Sequence, residues 1–105
     1  MNIRFEYLYR DAGNFKNWGE VVFSNPRNFT ADSIALMADP ALIDHVYFVA
    51  AKVDIANLHF AEHIDELDHD WHEVHAFQTT SDPPNDAKCR NIEEFVATLR
   101  SASIA

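Results

Sequence analysis

From Ile3 to Tyr9 the chain alternates, with Ile3, Phe5, Tyr7 and Tyr9 on one side and Arg4, Glu6, Leu8 and Arg10 on the other. A period of two predicts a strand with one aromatic face. Asp11-Ala12-Gly13-Asn14 is turn chemistry, and β-type residues resume from Trp18 to Phe23, so the two runs read as an antiparallel hairpin with a loop of several residues. Asn25-Pro26 breaks the sheet. Thr30 then offers an N-cap for a helix carrying Ile34, Met37 and Ala38 on one face. Because Ala41 and Leu42 continue that spacing past Asp39-Pro40, the pattern predicts either a kink at Pro40 or a second helical turn capped by Asp39.

Val46-Tyr47-Phe48-Val49-Ala50-Ala51 is apolar on both faces, the mark of a central strand and of the most buried segment. Trp71 to Phe77 alternates again, with Val74 and Ala76 opposed to Trp71 and Phe77, and predicts a fourth strand. Ser81-Asp82-Pro83-Pro84-Asn85-Asp86 is a loop. The last element is the best punctuated: Asn91 as N-cap, Glu94 closing a capping box, and Ile92, Phe95, Val96 and Leu99 as a buried stripe. The expected architecture is α+β in the order β-β-α-β-β-α, a mainly antiparallel sheet of about four strands with helices packed on one face. The expected core is Phe5, Tyr7, Val21, Phe23, Ile34, Val46, Phe48, Val74, Phe95 and Leu99.

With 105 residues, 48% of them apolar and 24% charged, the chain suits one ordinary domain over residues 1–105 rather than a disordered or low-complexity segment. Its longest apolar run, Val46 to Ala51, is far shorter than the roughly 20 residues of a membrane-spanning helix. Met1-Asn2-Ile3-Arg4-Phe5-Glu6 lacks a signal-peptide pattern and Cys89 has no second cysteine to pair with, so a reducing cytoplasm is the expected location. The 17 acidic residues outnumber the 8 basic ones, for a formal charge of −9. That field opposes nucleic-acid phosphates and anionic lipid, and it favours a basic protein partner. Solubility alone accounts for the same charge.

The stretch from Phe5 to Gly19 (Phe-Glu-Tyr-Leu-Tyr-Arg-Asp-Ala-Gly-Asn-Phe-Lys-Asn-Trp-Gly), with Trp71-His72-Glu73 and Asn91-Ile92-Glu93-Glu94-Phe95, resembles a group of small uncharacterised bacterial proteins. The likeness spans most of the chain. It implies a fold and a setting on mobile gene cassettes or phage-derived segments, and no reaction, so no catalytic residue follows from it. Where that group usually has a tyrosine, this chain has Phe15, which removes one hydroxyl from the hairpin loop.

Five of the six histidines fall between His59 and His75, among six carboxylates. His59-Phe60-Ala61-Glu62-His63 fits the letters H-x-x-E-H, in which a helix presents two imidazoles to zinc and the glutamate serves as base. So short a pattern arises readily in a His-rich acidic stretch, and no third ligand is marked. In the second cluster a strand would put His69 and His75 on one face and His72 on the other, which separates them from a common ion. Cys89 precedes the last helix beside Arg90, a setting that can activate a thiol, yet no histidine is near it in sequence. Two glycines exclude a glycine-rich phosphate cradle.

Tyr7, Tyr9, Arg10, Phe15, Trp18 and Trp71 are the candidate binding residues, being of the types that dominate interface hot spots, although a small core also consumes large rings. Three functions compete. The first is a non-catalytic acidic interaction protein, an inhibitor, immunity-type or adaptor module, with a protein partner, no cofactor, and a homodimer built on Phe15 and Trp18. The second is a small metal-dependent enzyme or metal sensor using His59, Glu62 and His63. The third is a small-ligand domain with a pocket lined by Tyr7, Tyr9 and Trp71.

Overall fold

The computed structural model describes residues 1–60 and 70–104. Four antiparallel strands, β1 (Asn2–Arg10), β2 (Lys16–Phe23), β3 (Tyr47–Val49) and β4 (Trp71–Thr80), stand in the order β2-β1-β4-β3. Among the described residues two helices, α1 (Ala31–Ala38) and α2 (Ile92–Ile104), join the sheet in an α+β architecture.

The alternation in β1 becomes two faces. Ile3, Phe5, Tyr7 and Tyr9 point inward and are buried. On them lie Ile34 and Ala38 of α1 and Ile92, Phe95, Val96 and Leu99 of α2. The Phe95 ring stacks on Phe23 at 4.3 Å and sits 5.1 Å from Phe5, and such aromatic pairs add about 0.5–1.5 kcal/mol each beyond the area they bury.

Local chemistry sets the boundaries. The hairpin loop closes by a hydrogen bond from Asn14 N–H to the Asp11 carbonyl, and Asn14 adopts φ 66°, a left-handed conformation that asparagine tolerates. Asn25 ends the sheet by donating Nδ2 to the carbonyls of Met1 and Phe29. Thr30 caps α1, its Oγ1 accepting from Ser33 N–H at 3.1 Å. At α2 the capping box is complete: Glu94 N–H donates to Asn91 Oδ1 at 2.8 Å and Asn91 N–H to Glu94 Oε1 at 3.0 Å.

Three expectations need correction. The helical turn after α1 spans Asp39–Ala41 as a 3-10 turn in which Asp39 is the first residue and Ala38 occupies the cap position. The apolar run from Val46 to Ala51 is not a central strand, because only Tyr47–Val49 pairs, at the edge of the sheet, and Val46 is 36% exposed. Its apolar content serves a different geometry: Ala50–Val53 forms a 3-10 turn that tucks Ala50 and Val53 into the core beside Phe48. The interior positions belong to β1, which pairs with β2 and β4, and to β4, which pairs with β1 and β3.

In β4, Glu6 faces Ala76 while Tyr7 faces Val74, so His75 is an extra residue in a β-bulge. The bulge shifts the alternation by one position. Val74 and Phe77 therefore both pack on the core, instead of lying on opposite faces.

Candidate functional site

The side of the sheet away from the helices carries the alternate residues of β1 (Arg4, Glu6, Leu8 and Arg10) with Lys16, Trp18, Glu20 and Val22 of β2. Long charged side chains cover this outer face. Arg4 reaches Glu20 at 3.4 Å and Asp82 at 3.9 Å, and donates to Gln78 Oε1 at 2.7 Å. Arg10 pairs with Glu73 at 3.2 Å and donates to Asn14 Oδ1 at 2.6 Å. Glu6 is opposed by Glu20 on one side and Ala76 on the other. Like charges directly opposite in a sheet are unfavourable, and Glu6 Oε1 is buried with no hydrogen-bond partner among the described residues.

Beside Glu6 opens a cleft of about 180 Å³ lined by Glu6, Trp18, Gly19 and Glu20. Trp18 is 54% exposed and meets the bulged His75 edge-on at 5.0 Å. Phe15, at the end of the hairpin loop, is 70% exposed. Carboxylates and a tryptophan ring lining one cleft form an environment suited to an ammonium or guanidinium group.

The structure thus brings Phe15, Trp18 and Arg10 of the candidate binding residues to the β1–β2 side of the molecule. Tyr7 and Tyr9 are elsewhere, buried on the inner face. Tyr7 Oη donates to the Ala56 carbonyl at 2.7 Å, and burial pushes its hydroxyl up to about 12. Tyr9 packs against the rings of His59 at 4.5 Å and His72 at 5.2 Å. Trp71 is 40% exposed and leans on Tyr47 at the β3 side of the sheet. Since it adjoins the inward-facing His72 in a strand, it faces away from Tyr7 and Tyr9.

Of the three metal candidates, Glu62 and His63 lie outside the described residues, as does His69. His59 Nε2 stands 3.6 Å from Asp70 Oδ1, and its ring stacks with that of His72 at 5.6 Å. His72 is committed to structure: its Nε2 accepts from Leu58 N–H at 3.1 Å, while Nδ1 lies 3.2 Å from the Asp70 carbonyl, an arrangement that suits the neutral ring protonated on Nδ1. His72 is inward and His75 exposed, so these two do not converge on one ion. Among the described residues no group of three or more His, Cys, Asp or Glu side chains is placed to hold a metal.

Cys89 is exposed and left-handed, with φ 54°. The neighbouring Arg90 is turned into the protein. It binds Asp86 through two parallel contacts of 2.9 and 3.1 Å, donates to the carbonyls of Val53 and Asp54, and lies 5.3 Å over the Phe95 ring. Burial by itself would raise the Asp86 carboxyl, but hydrogen bonds from Arg90 side chain and backbone, with its charge, hold it below the ordinary value. Sequence reading missed this lock, whose visible trace was an acid and a base four residues apart.

No known protein family, curated protein or solved structure matches the chain. Among the described residues no helix is long and apolar enough to cross a membrane.

Proposed function

We propose that the chain is a non-catalytic acidic interaction protein, an inhibitor, immunity-type or adaptor module that binds a basic protein. The observation that carries this reading is the outer-face cleft: a buried Glu6 Oε1 without a hydrogen-bond partner among the described residues, beside the exposed ring of Trp18, with a second exposed ring, Phe15, in the adjoining hairpin loop. A cationic side chain of the partner would enter the cleft between Glu6, Trp18 and Glu20, and the formal charge of −9 would steer the encounter. Self-association through the Phe15 and Trp18 side of the molecule belongs to the same reading.

The test is capture from the native host followed by titration with the purified partner. Affinity should fall steeply with added salt, and Trp18→Ala should weaken binding by about 2 kcal/mol or more if it is a hot spot. Failure to recover a partner, or binding indifferent to both Trp18→Ala and Glu6→Gln, would overturn the reading.

The second reading, a metal-dependent enzyme or sensor using His59, Glu62 and His63, rests on the sequence pattern His59-Phe60-Ala61-Glu62-His63, because both ring nitrogens of His72 are already engaged by the backbone. Elemental analysis of untagged protein, with melting temperature measured against added zinc, manganese and nickel, decides it. A real site stabilises the fold by mass action.

A further inference from the structure

The geometry points to one mode of self-association: two copies join antiparallel along the open edge of β2, with Trp18 on the two-fold axis. This rests on the reading of the chain as an association module and adds the register.

The direction of each backbone group on β2 follows from what lies beyond the strand. Val22 N–H donates outward to Asn85 Oδ1 at 2.8 Å, and the Val22 carbonyl accepts from Asn85 N–H at 3.0 Å. Backbone groups alternate between the two edges of an antiparallel strand, so Val21, Gly19 and Asn17 turn toward β1 while Glu20, Trp18 and Lys16 turn outward with Val22. Asn85 therefore occupies the edge at one end only. Among the described residues no backbone hydrogen bond meets the outward groups of Lys16, Trp18 and Glu20 from beyond β2. The usual guards are weak here: the strand has no proline, and its one lysine stands at the end.

The occupant follows from the side chains. Lys16, Trp18 and Glu20 share the outer face, and read in reverse this row is its own complement. With Trp18 opposite Trp18 of a second copy, Lys16 faces the second copy's Glu20 and Glu20 faces its Lys16, giving two opposite-charge pairs around a pair of indoles. The same register sets Phe15 opposite the second copy's half-buried Val21. At Asn14, with φ 66°, the chain turns away before it would meet the second copy's Asn85. Pairing would extend the sheet to eight strands and put the two Glu6 clefts side by side.

The charge of −9 on each copy opposes association. Raising ionic strength from 0.01 to 0.15 M shortens the screening length from about 30 to about 8 Å, so the dimer should tighten over that range.

Sedimentation across protein concentration, at both salt levels, tests self-association. Lys16→Glu should weaken the dimer by about tenfold through two like-charge contacts, and adding Glu20→Lys should restore it. Circular dichroism of each variant separates this from misfolding. For the register, a Cys89→Ser background carrying Trp18→Cys should form an intermolecular disulfide, because residues paired in this way stand about 5.5 Å apart at Cα, within the range a disulfide spans. Phe15→Cys and Glu20→Cys, distant from their own copies, should not. A monomer under all conditions overturns the dimer and its register, while leaving binding of a basic partner to its own titration. A dimer that crosslinks at position 15 or 20 and not at 18, or that ignores the charge exchange, overturns the register alone.

Discussion

The two faces of β1 belong to one strand and one hydrogen-bond ladder, yet they do opposite work. On the inner face Ile3, Phe5, Tyr7 and Tyr9 are sealed by helices and by the 54–60 segment, and Tyr7 Oη and His72 Nε2 each hold a hydrogen bond. On the outer face Arg4 and Arg10 reach carboxylates, but Arg4 Nε, Arg10 Nε and Glu6 Oε1 are buried without hydrogen-bond partners among the described residues, and Trp18 is exposed. Stability is concentrated where polar atoms are matched and rings interlock. The outer face is left with a carboxylate oxygen that lacks a hydrogen-bond partner among the described residues and with an open ring, and is the face on which the proposed binding rests.

Breaking the inner face should therefore have the largest effect. Phe95→Ala or Phe48→Ala should cost about 3–5 kcal/mol in chemical denaturation, enough to unfold a domain of ordinary stability. Soluble, cooperatively unfolding forms of both variants would show that the inner face does not hold the fold together.

The Asp86–Arg90 lock comes next. Asp86→Ala should cost about 3 kcal/mol by leaving a buried guanidinium without its carboxylate. The Asp86 carboxyl lies below its ordinary 3.8 in the fold, so the stability it contributes is fully present above that value. It is lost as pH falls through the depressed folded value. Urea midpoints measured from pH 5 downward should fall for the native protein over this window, and that component should be absent from the Asp86→Ala variant.

Asn91→Ala, which removes the cap of α2, should cost about 0.5–2 kcal/mol. An unchanged denaturation midpoint would place the start of the helix elsewhere.

The smallest effects belong to the outer face. Glu6→Gln and Trp18→Ala should change stability by no more than about 0.5 kcal/mol, and Glu6→Gln could raise it by removing the opposition to Glu20. A large loss from either would mean that the outer face is a second structural layer, and the contrast between the faces would collapse.

What the sequence determined by itself is local. The strand of alternating Ile3, Phe5, Tyr7 and Tyr9, the turn around Asp11 to Asn14, the caps at Thr30 and Asn91 and the stripe from Ile92 to Leu99 each depend on side-chain period or on hydrogen bonds a few residues long. Tertiary structure decided the rest. The exposure of Trp18 goes with the position of β2 at an edge of the sheet, which only the strand pairing decides. Whether Val46 to Ala51 is central or marginal depends on which strands β4 accepts, and apolar content is the same for a covered strand and for a turn tucked under a helix. The bulge at His75 arises from pairing with β1 and reverses the faces of everything after it. Asn85 on Val22 and Arg90 on Val53 and Asp54 join residues 63, 37 and 36 positions apart. No local period encodes such contacts, because their energy is realised only once the two segments have met, and they leave the edge of β2 open from Lys16 to Glu20.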